Sequence, residues 1–371
     1  MKTIPFNRPR ITGNEIQYLR QSIEQGHLAG DGPFTKKCQA LLEKKFTAKK
    51  VLLTHSCTAA LELAALACGL EPGDEVILPS YTFTSTANAF LLRGARLVFV
   101  DIRPDTLNMD ETLIEDKITP RTKVICVVHY AGVACEMTPI LKMARKHKLL
   151  VIEDAAQGVA SIYRGRFLGT IGDFGTFSFH ETKNYTSGEG GAILVNNEDL
   201  IEITETAREK GTNRSQFLRG EVDKYTWVSP GSSYLPSDLV AAFLLAQLEE
   251  MEYIAQARKS VYCRYSQALS FLADQNLVRF LSIPGHCQSN YHLFCMLLSD
   301  ETSRNALLDF LKSRGVQAGF HYIPLHLSPM GRAMGYGTGD LPVTESMSRC
   351  LVRLPLYCDL SEPDQGEIIR R

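Results

Sequence analysis

An acidic side chain and a lysine follow two successive apolar runs in the middle of the chain. Asp154 comes after the run that begins at Val151, and Lys183 comes five residues after Ser178, which lies in the next run. Both runs have the pattern of buried strands, so the two side chains are expected at one edge of a sheet. A lysine can bond to the aldehyde of pyridoxal phosphate, and a carboxylate can keep its pyridine nitrogen protonated. The pair therefore predicts a pyridoxal phosphate enzyme.

A hydroxyl-bearing turn precedes an alanine-rich stretch earlier in the chain. Ser56 and Thr58 stand beside the predicted helix over residues 59–68, where free backbone N–H groups and the helix dipole favour a phosphate. Either hydroxyl taken alone is as readily a helix cap, and capping is compatible with phosphate binding. Ser178 lies on the strand before Lys183, so its hydroxyl is expected within reach of the same phosphate.

Short apolar runs bounded by turn residues recur through the first half of the chain and predict seven buried strands. Amphipathic stretches between them predict helices. This alternation is typical of an α/β fold in which helices cover both faces of a mainly parallel sheet. The predicted strands are Val51–Thr54, Glu75–Ser80, Arg96–Asp101, Lys123–His129, Leu149–Ala155, Gly175–His180 and Gly191–Asn196, and the predicted helices are Ala59–Cys68, Leu113–Ile118 and Thr138–His147.

The pattern changes at Ser237, and the 371 residues are enough for two domains. Residues 237–274 predict one long helix, capped by Ser237 and Asp238, that leads out of a large cofactor-binding domain. The elements that follow predict a small α+β domain. We expect the large domain over residues 1–240, with an N-terminal arm at 4–10, and the small domain over 241–371, with strands at 291–298 and 316–322 and a helix at 302–314.

The composition, with 44% hydrophobic and 22% charged residues, is that of a soluble globular protein. Lys and Arg number 40 against 41 Asp and Glu, so the charge favours neither nucleic acid nor an anionic membrane as partner. Ten cysteines without CxxC spacing indicate reduced thiols and a cytoplasmic protein. No apolar run predicts a signal peptide or a membrane span. His129 and Cys135 lack further ligands, so no metal site is predicted.

A set of longer strings resembles the sugar-nucleotide aminotransferases of pyridoxal phosphate fold type I. The likeness extends from Pro5 to roughly Leu360, and as a set its motifs are highly specific. The strings that carry it are Ser56–Leu61, Pro79–Phe83, Glu153–Gln157, Ser178–Lys183 and Gly188–Gly191.

The resemblance assigns roles residue by residue. It implies that Lys183 holds pyridoxal 5'-phosphate and moves the proton, and that Asp154 holds the pyridinium nitrogen. Gln157 would lie near the ring hydroxyl, and Phe83 would stack on the ring. The residues implied around the phosphate are Ser56, Cys57, Thr58 and Ser178. At Cys57 glycine is commoner in the family, so its backbone N–H is expected to bind rather than its thiol.

The resemblance also implies a homodimer with each active site near the subunit interface. Ser233 stands where many relatives place an asparagine that reaches the phosphate of the partner subunit's cofactor, and a serine is shorter. Basic and aromatic residues nearby predict a docking surface for a nucleotide diphosphate, although a solvated charged loop fits them equally well. The candidate substrate residues are Arg214, Arg219, Lys224 and Tyr225, with His326, more often a packing residue, as a candidate sugar contact.

Three idiosyncratic strings resemble the family members that aminate dTDP-4-keto-6-deoxyglucose at C4 for surface glycans. They are His129–Met137, Arg208–Phe217 with Asp223–Trp227, and Phe320–His326. This likeness implies a dTDP-sugar and L-glutamate as substrates, with pyridoxamine 5'-phosphate as the second form of the cofactor. Amination at C3, or at C4 in the gluco configuration, remains open.

Three other functions are weighed against this one. A dehydratase on the same fold has histidine in place of the lysine, and Lys183 argues against it. A non-catalytic regulator is disfavoured by the complete set of Asp154, Gln157 and Lys183. A nicotinamide oxidoreductase would need a GxGxxG turn after the first strand, and residues 51–56 contain none.

Overall fold

A computed structural model describes residues 3–370 of the chain. Its helices are α1 (Glu15–Glu24), α2 (Pro33–Phe46), α3 (Cys57–Ala67), α4 (Thr84–Leu91), α5 (Met137–His147), α6 (Ile201–Arg208), α7 (Arg214–Leu218), α8 (Asp238–Glu249), α9 (Met251–Ala268), α10 (Ser270–Asp274), α11 (Glu301–Ser313), α12 (Pro329–Ala333), α13 (Pro342–Cys350) and α14 (Glu362–Arg370). Its strands are β1 (Lys50–Thr54), β2 (Glu75–Pro79), β3 (Arg96–Val100), β4 (Thr122–Val128), β5 (Leu150–Asp154), β6 (Ile162–Tyr163), β7 (Arg166–Phe167), β8 (Phe174–Ser178), β9 (Gly191–Val195), β10 (Arg279–Phe280), β11 (Cys287–Gln288), β12 (Phe294–Leu297) and β13 (Leu351–Leu354).

The seven strands predicted for the first half of the chain form one sheet, in the order β1-β9-β8-β5-β4-β2-β3. Only β9 runs against the others, and it pairs antiparallel with both of its neighbours, β1 and β8. The prediction of a seven-stranded, mainly parallel sheet is therefore confirmed.

Side chains that alternate along each strand pack into two separate cores, one on each face of the sheet. Val51 and Leu53 of β1 pack in the first core, together with residues of α2 and α8. Leu52 packs in the second core with residues of α3 and α4. Because both faces are covered, the strands are apolar along their whole length. The carboxyl ends of the parallel strands are left to carry polar residues, and they all lie at one edge.

Three predicted elements differ from those observed. Residues 113–118, predicted as a helix, lie instead in two 3₁₀ turns, Glu111–Leu113 and Glu115–Lys117. The expected long helix begins at its predicted cap, with Ser237 Oγ accepting from Val240 N at 3.4 Å, but it is interrupted at Glu250 and Leu269. There the backbone leaves helical values, and α9 carries the chain from the sheet core to a C-terminal core.

The third difference is in the C-terminal part, where residues 316–322 are extended but form only isolated bridges. One joins Val316 to Ile4 of the N-terminal arm, and another joins Gly319 to Arg353. A three-stranded antiparallel sheet, β10-β12-β13, packs nearby with α9, α11 and α14 around the C-terminal core. The mixed α+β content of this part agrees with the prediction, while the domain boundary at residue 240 stays a prediction.

Gly191 lies where β9 passes the turn between β1 and α3, and a larger residue is expected to disrupt it. A Cβ at Gly191 would meet the carbonyl carbon of Ser56 at 2.4 Å and the backbone nitrogen of Cys57 at 2.5 Å. Both are backbone atoms, so the turn itself would have to move. We predict that Gly191→Ala destabilises the protein by about 1–3 kcal/mol in urea unfolding. Gly285→Ala, with no atom within 4 Å of its Cβ, is the matched control, and equal stability of the two variants would contradict the prediction.

Candidate active site

A cavity of about 480 Å³ lies at the carboxyl edge of the sheet. Its walls are the turns that follow β1, β2, β5 and β8, together with residues from the C-terminal part of the chain. Asp154 and Lys183, the pair from which the function was predicted, both line it. Asp154 ends β5, and Lys183 follows the neighbouring parallel strand β8, which pairs with β5 through Asp154 and Thr176.

The turn after β1 offers hydrogen-bond donors at one end of the cavity. Ser56 caps α3, with its Oγ accepting from Ala59 N at 3.1 Å, and Thr58 Oγ1 lies 2.8 Å from Ser85 Oγ. Cys57 and Thr58 form the first turn of α3, where backbone N–H groups have no partner within the helix. Ser178, at the end of β8, lines the same cavity. These groups together make an anion site of N–H and O–H donors.

Asp154 is a buried carboxylate that forms no ion pair within the described residues. Its oxygens accept from Thr86 Oγ1 at 2.6 Å and from Ala156 N at 3.1 Å, while Thr82 and Thr86 hydrogen-bond to each other at 2.8 Å. Within residues 3–370, no lysine, arginine or histidine forms an ion pair with it. A buried carboxylate that lacks a counter-charge is suited to a protonated nitrogen supplied by a ligand. The sequence did not point to Thr86, which orients this carboxylate.

Glu153, next to Asp154, points to the opposite face and belongs to the scaffold. It accepts from three backbone N–H groups of residues 169–172 at 2.6–2.9 Å and from His129 Nε2 at 2.9 Å. His129 Nδ1 in turn accepts from Cys135 N at 3.1 Å. This network explains the buried His129 and Cys135 without a metal, and no metal-binding cluster occurs in the part of the chain that the structure describes.

Gln157 and Phe83 occupy other parts of the wall. Gln157 accepts from Ala131 N at 2.7 Å and donates to Tyr322 Oη at 2.9 Å, so its amide is fixed in one orientation. Phe83, the residue before α4, lines the cavity with 60% of its surface exposed. An exposed ring at a cavity wall is available to stack on a flat ligand. Tyr322 was not identified from the sequence.

Lys183 lies in the loop between β8 and β9, and the residue after it fastens that loop to the C-terminal part of the chain. Asn184 donates to the carbonyl oxygen of Asn290 at 2.9 Å, and its amide oxygen lies 2.9 Å from His292 Nδ1. Burial lowers the pKa of the Lys183 amine, and Arg353 adds to that shift while Asp154 opposes it. A lysine with lowered proton affinity is a more effective base and nucleophile.

The C-terminal part adds three further ionisable residues to the wall that sequence reasoning missed. They are His292, His321 and Arg353. Burial lowers the pKa of His292 far below its usual value and that of His321 to about 2, so both imidazoles are neutral. Tyr130 Oη lies 3.3 Å from His321 Nδ1. The cavity therefore contains neutral imidazoles beside the charges of Asp154 and Arg353.

Comparison with known proteins identifies the family. The model of the DegT/DnrJ/EryC1/StrS aminotransferase family matches residues 9–371. The chain belongs to this family. GDP-perosamine synthase of Caulobacter vibrioides is 34% identical over 363 residues, which cover 97% of this chain and 95% of that protein. The spore coat polysaccharide biosynthesis protein SpsC of Bacillus subtilis is 33% identical over 374 residues, 99% of this chain and 95% of that protein.

A solved structure of a sugar aminotransferase is also similar to this aminotransferase over the whole chain. The putative sugar aminotransferase Spr1654 of Streptococcus pneumoniae, in its pyridoxal phosphate form, superimposes with a TM-score of 0.91. It is 28% identical, and the match covers 100% of this chain and 97% of that one. The pyridoxamine phosphate form has a TM-score of 0.92. The fold type and the dependence on pyridoxal phosphate predicted from the sequence are therefore confirmed.

The cavity of the aminotransferase fits this cofactor group by group. The N–H and O–H donors of the β1–α3 turn suit its phosphate, and the unpaired Asp154 carboxylate suits its protonated ring nitrogen. The amine of Lys183, with its lowered pKa, suits its aldehyde. Burial raises the pKa of the Cys57 thiol, so that side chain stays protonated and unreactive while its backbone N–H remains available.

The residues predicted to contact the substrate lie outside the cavity. Arg214 pairs with Glu209 at 3.2 Å, and Arg219 pairs with Glu205 and Glu221, each at 2.7 Å. Lys224 and Tyr225 are exposed on the same surface, as is Ser233, which was predicted near the phosphate of the partner subunit's cofactor. This chain alone therefore does not bring them to the reacting groups.

His326, predicted as a possible sugar contact, is a packing histidine. It is fully buried, with Nδ1 2.7 Å from Ser80 Oγ and Nε2 3.3 Å from Glu345 Oε1. The histidine of that string that does line the cavity is His321, five residues earlier.

In residues 3–370, no helix is both long and apolar enough to cross a membrane.

Proposed function

We propose that this aminotransferase transfers the amino group of L-glutamate to C4 of dTDP-4-keto-6-deoxy-D-glucose, giving dTDP-4-amino-4,6-dideoxy-D-galactose. The observation that carries the aminotransfer is the presence of Lys183 and Asp154 in one cavity, where Asp154 ends β5 and Lys183 follows the neighbouring strand β8. The choice of sugar is supported by the likeness of the Phe320–His326 string, part of which lines that cavity through His321 and Tyr322.

Each residue of the cavity would have its own role in cofactor binding or proton transfer. Lys183 would hold the cofactor covalently, and its free amine would carry the proton to and from the reacting carbon. Asp154 keeps the ring nitrogen protonated, and bound pyridoxal phosphate then supplies the electron sink. Gln157 would lie near the ring hydroxyl, and Phe83 would stack on one ring face. The phosphate is held by Ser56, Cys57, Thr58 and Ser178.

The protonation state of Lys183 supports its role as the base. Its pKa is lowered chiefly by burial, so its amine releases a proton more readily than an exposed lysine does. Proton delivery from the lysine side alone would fix the configuration of the new amine, which we assign as the axial amine of the galacto product. The configuration is fixed because one positioned proton donor serves only one face of the sugar carbon.

A homodimer is part of the proposal, since the diphosphate-docking residues lie away from the cavity of their own chain. Arg214, Arg219, Lys224 and Tyr225 share a surface with exposed apolar side chains, among them Trp227 at 76% exposure. A C2 partner would cover that surface and bring these residues, with Ser233, to the neighbouring active site. We place the reaction in the cytoplasm, where it would supply a surface glycan such as enterobacterial common antigen or O-antigen.

A GDP-linked keto sugar is the second candidate substrate. It is favoured by the 34% identity with GDP-perosamine synthase over 97% of this chain. The two candidates share the amination and differ in the nucleotide that carries the sugar.

Product analysis tests the proposal. The protein, pyridoxal phosphate and L-glutamate are incubated with dTDP-4-keto-6-deoxyglucose and, separately, with a GDP-linked 4-keto-6-deoxy sugar. We expect an amine at C4 in the galacto configuration from the dTDP substrate, identified by NMR, and a kcat/KM at least roughly tenfold lower for the GDP substrate. The Lys183→Ala protein is the control. Amination of the GDP-sugar alone would support the second candidate, and amination of neither would contradict both.

A further inference from the structure

Arg353 lies on β13 and lines the cavity. Its Nη2 donates to the carbonyl oxygen of Phe320 at 2.8 Å, and its Cζ lies 4.6 Å from the centre of the Phe6 ring. These two contacts fix the plane of the guanidinium between the N-terminal arm and the residues that precede His321. The guanidinium is therefore held in position by these contacts and not by an ion pair.

The charge of Arg353 has no protein partner in the described part of the chain. None of the carboxylates there approaches it within ion-pair distance, and its Nε is buried without a hydrogen-bond acceptor. By contrast, Arg208 forms a bidentate pair with Asp31 at 2.8 and 3.0 Å. A guanidinium left without its anion at a cavity wall is costly unless a ligand supplies the missing charge.

Among the described residues, no other group of the wall, Lys183 apart, offers a free positive charge to an anionic substrate. His292 and His321 are neutral because burial and the neighbouring cations lower their pKa. His180, at the rim, already lies 3.5 Å from Glu189. If Lys183 is bonded to the cofactor, Arg353 is the remaining fixed positive charge that the described chain places at the cavity wall.

We propose that Arg353 binds the carboxylate of the amino donor. The inference rests on the proposed use of L-glutamate, and it adds the residue that recognises it. A guanidinium forms planar, paired hydrogen bonds with a carboxylate. The alternative anion is the diphosphate of the sugar nucleotide, but a cavity of about 480 Å³ that also holds the cofactor admits only the reacting end of that substrate.

The two half-reactions distinguish these anions. The holoenzyme is mixed with glutamate alone, or with the amino-sugar nucleotide alone, and the change in cofactor absorbance is followed against substrate concentration. For Arg353→Gln we expect the glutamate concentration at half-maximal rate to rise roughly 30- to 100-fold, with the limiting rate changed only a few-fold. The value for the amino-sugar nucleotide should stay within about threefold of the parent. Arg353→Lys should recover part of the loss, because it restores charge without the planar fork.

Binding of glutarate, an unreactive dicarboxylate, gives a second readout that does not depend on turnover. By titration calorimetry the parent holoenzyme should bind it and Arg353→Gln should not. Arg279→Gln, which removes an exposed arginine from β10 of the same small sheet, is the matched control and should behave like the parent.

Three results would overturn the inference. They are a parent that does not bind glutarate, a variant whose glutamate and glutarate values stay within about threefold of the parent, and an equal loss with the amino-sugar nucleotide. A parent that binds glutarate but does not react with glutamate would instead refute the proposed donor.

Discussion

Lys183→Ala is expected to lower turnover by at least about three orders of magnitude while the protein stays folded. The variant loses both the amine proposed to hold the cofactor and the base proposed to move the proton. The anion site at the β1–α3 turn and the Asp154 carboxylate remain, because neither depends on the lysine side chain for a hydrogen bond. The variant should therefore still bind pyridoxamine phosphate.

The measurement combines steady-state rates with a binding titration. Turnover is followed with glutamate and the keto-sugar nucleotide, and pyridoxamine phosphate is titrated into the cofactor-free protein by calorimetry. Lys259→Ala, on the exposed face of α9, is the control and should match the parent in both assays. Transamination by Lys183→Ala at a rate near that of the parent would show that another group is the base.

Asp154→Asn is expected to lower turnover by roughly two to three orders of magnitude with little loss of stability. The two contacts use different oxygens of Asp154, so an asparagine can keep its amide oxygen as the acceptor for Ala156 N. Its NH2 group can donate to Thr86 Oγ1, whose hydroxyl can donate to Thr82 instead, and the geometry of the turn survives. The negative charge does not survive, and the ring nitrogen of the cofactor would lose the group that keeps it protonated.

The test for Asp154→Asn includes the pH dependence of the bound cofactor. We expect the ring nitrogen to lose its proton at lower pH than in the parent, because a neutral amide stabilises a cation less than a carboxylate does. Nitrogen-15 NMR of labelled cofactor reports this protonation directly. Asp116→Asn, in an exposed 3₁₀ turn, is the control. An unchanged nitrogen signal and near-normal turnover would mean that the acid is only structural.

The sheet could be predicted from the sequence because its signals are local. Each strand is a short apolar run ended by turn residues, and the predicted runs fall within two residues of the observed bounds. Asp154 and Lys183 could be brought together for the same reason, since the ends of parallel strands share an edge. The interruption of the helix at Glu250 was missed because apolar residues continue past it in the sequence. What the sequence does not show is that the helical segments pack against two different cores.

The C-terminal wall of the cavity could not be predicted, because its residues reach the site only through tertiary folding. Arg353 lies on the four-residue strand β13, in which successive side chains point to opposite faces of the sheet. Tyr322 lies in a segment without regular structure. The string that contains both His321 and His326 shows the limit most clearly. Both have the same chemistry, yet one lines the cavity and the other is sealed between Ser80 and Glu345. Only the path of the backbone decides which histidine is available.

Chemical trapping of the cofactor tests the central claim most directly. The purified protein, loaded with pyridoxal phosphate, is reduced with borohydride, digested and mapped by mass spectrometry. The account predicts that the phosphopyridoxyl group is attached to the Nζ of Lys183, in the loop between β8 and β9, and that Lys183→Ala carries no such group. Attachment to a different lysine, or no stable attachment in the parent, would contradict it.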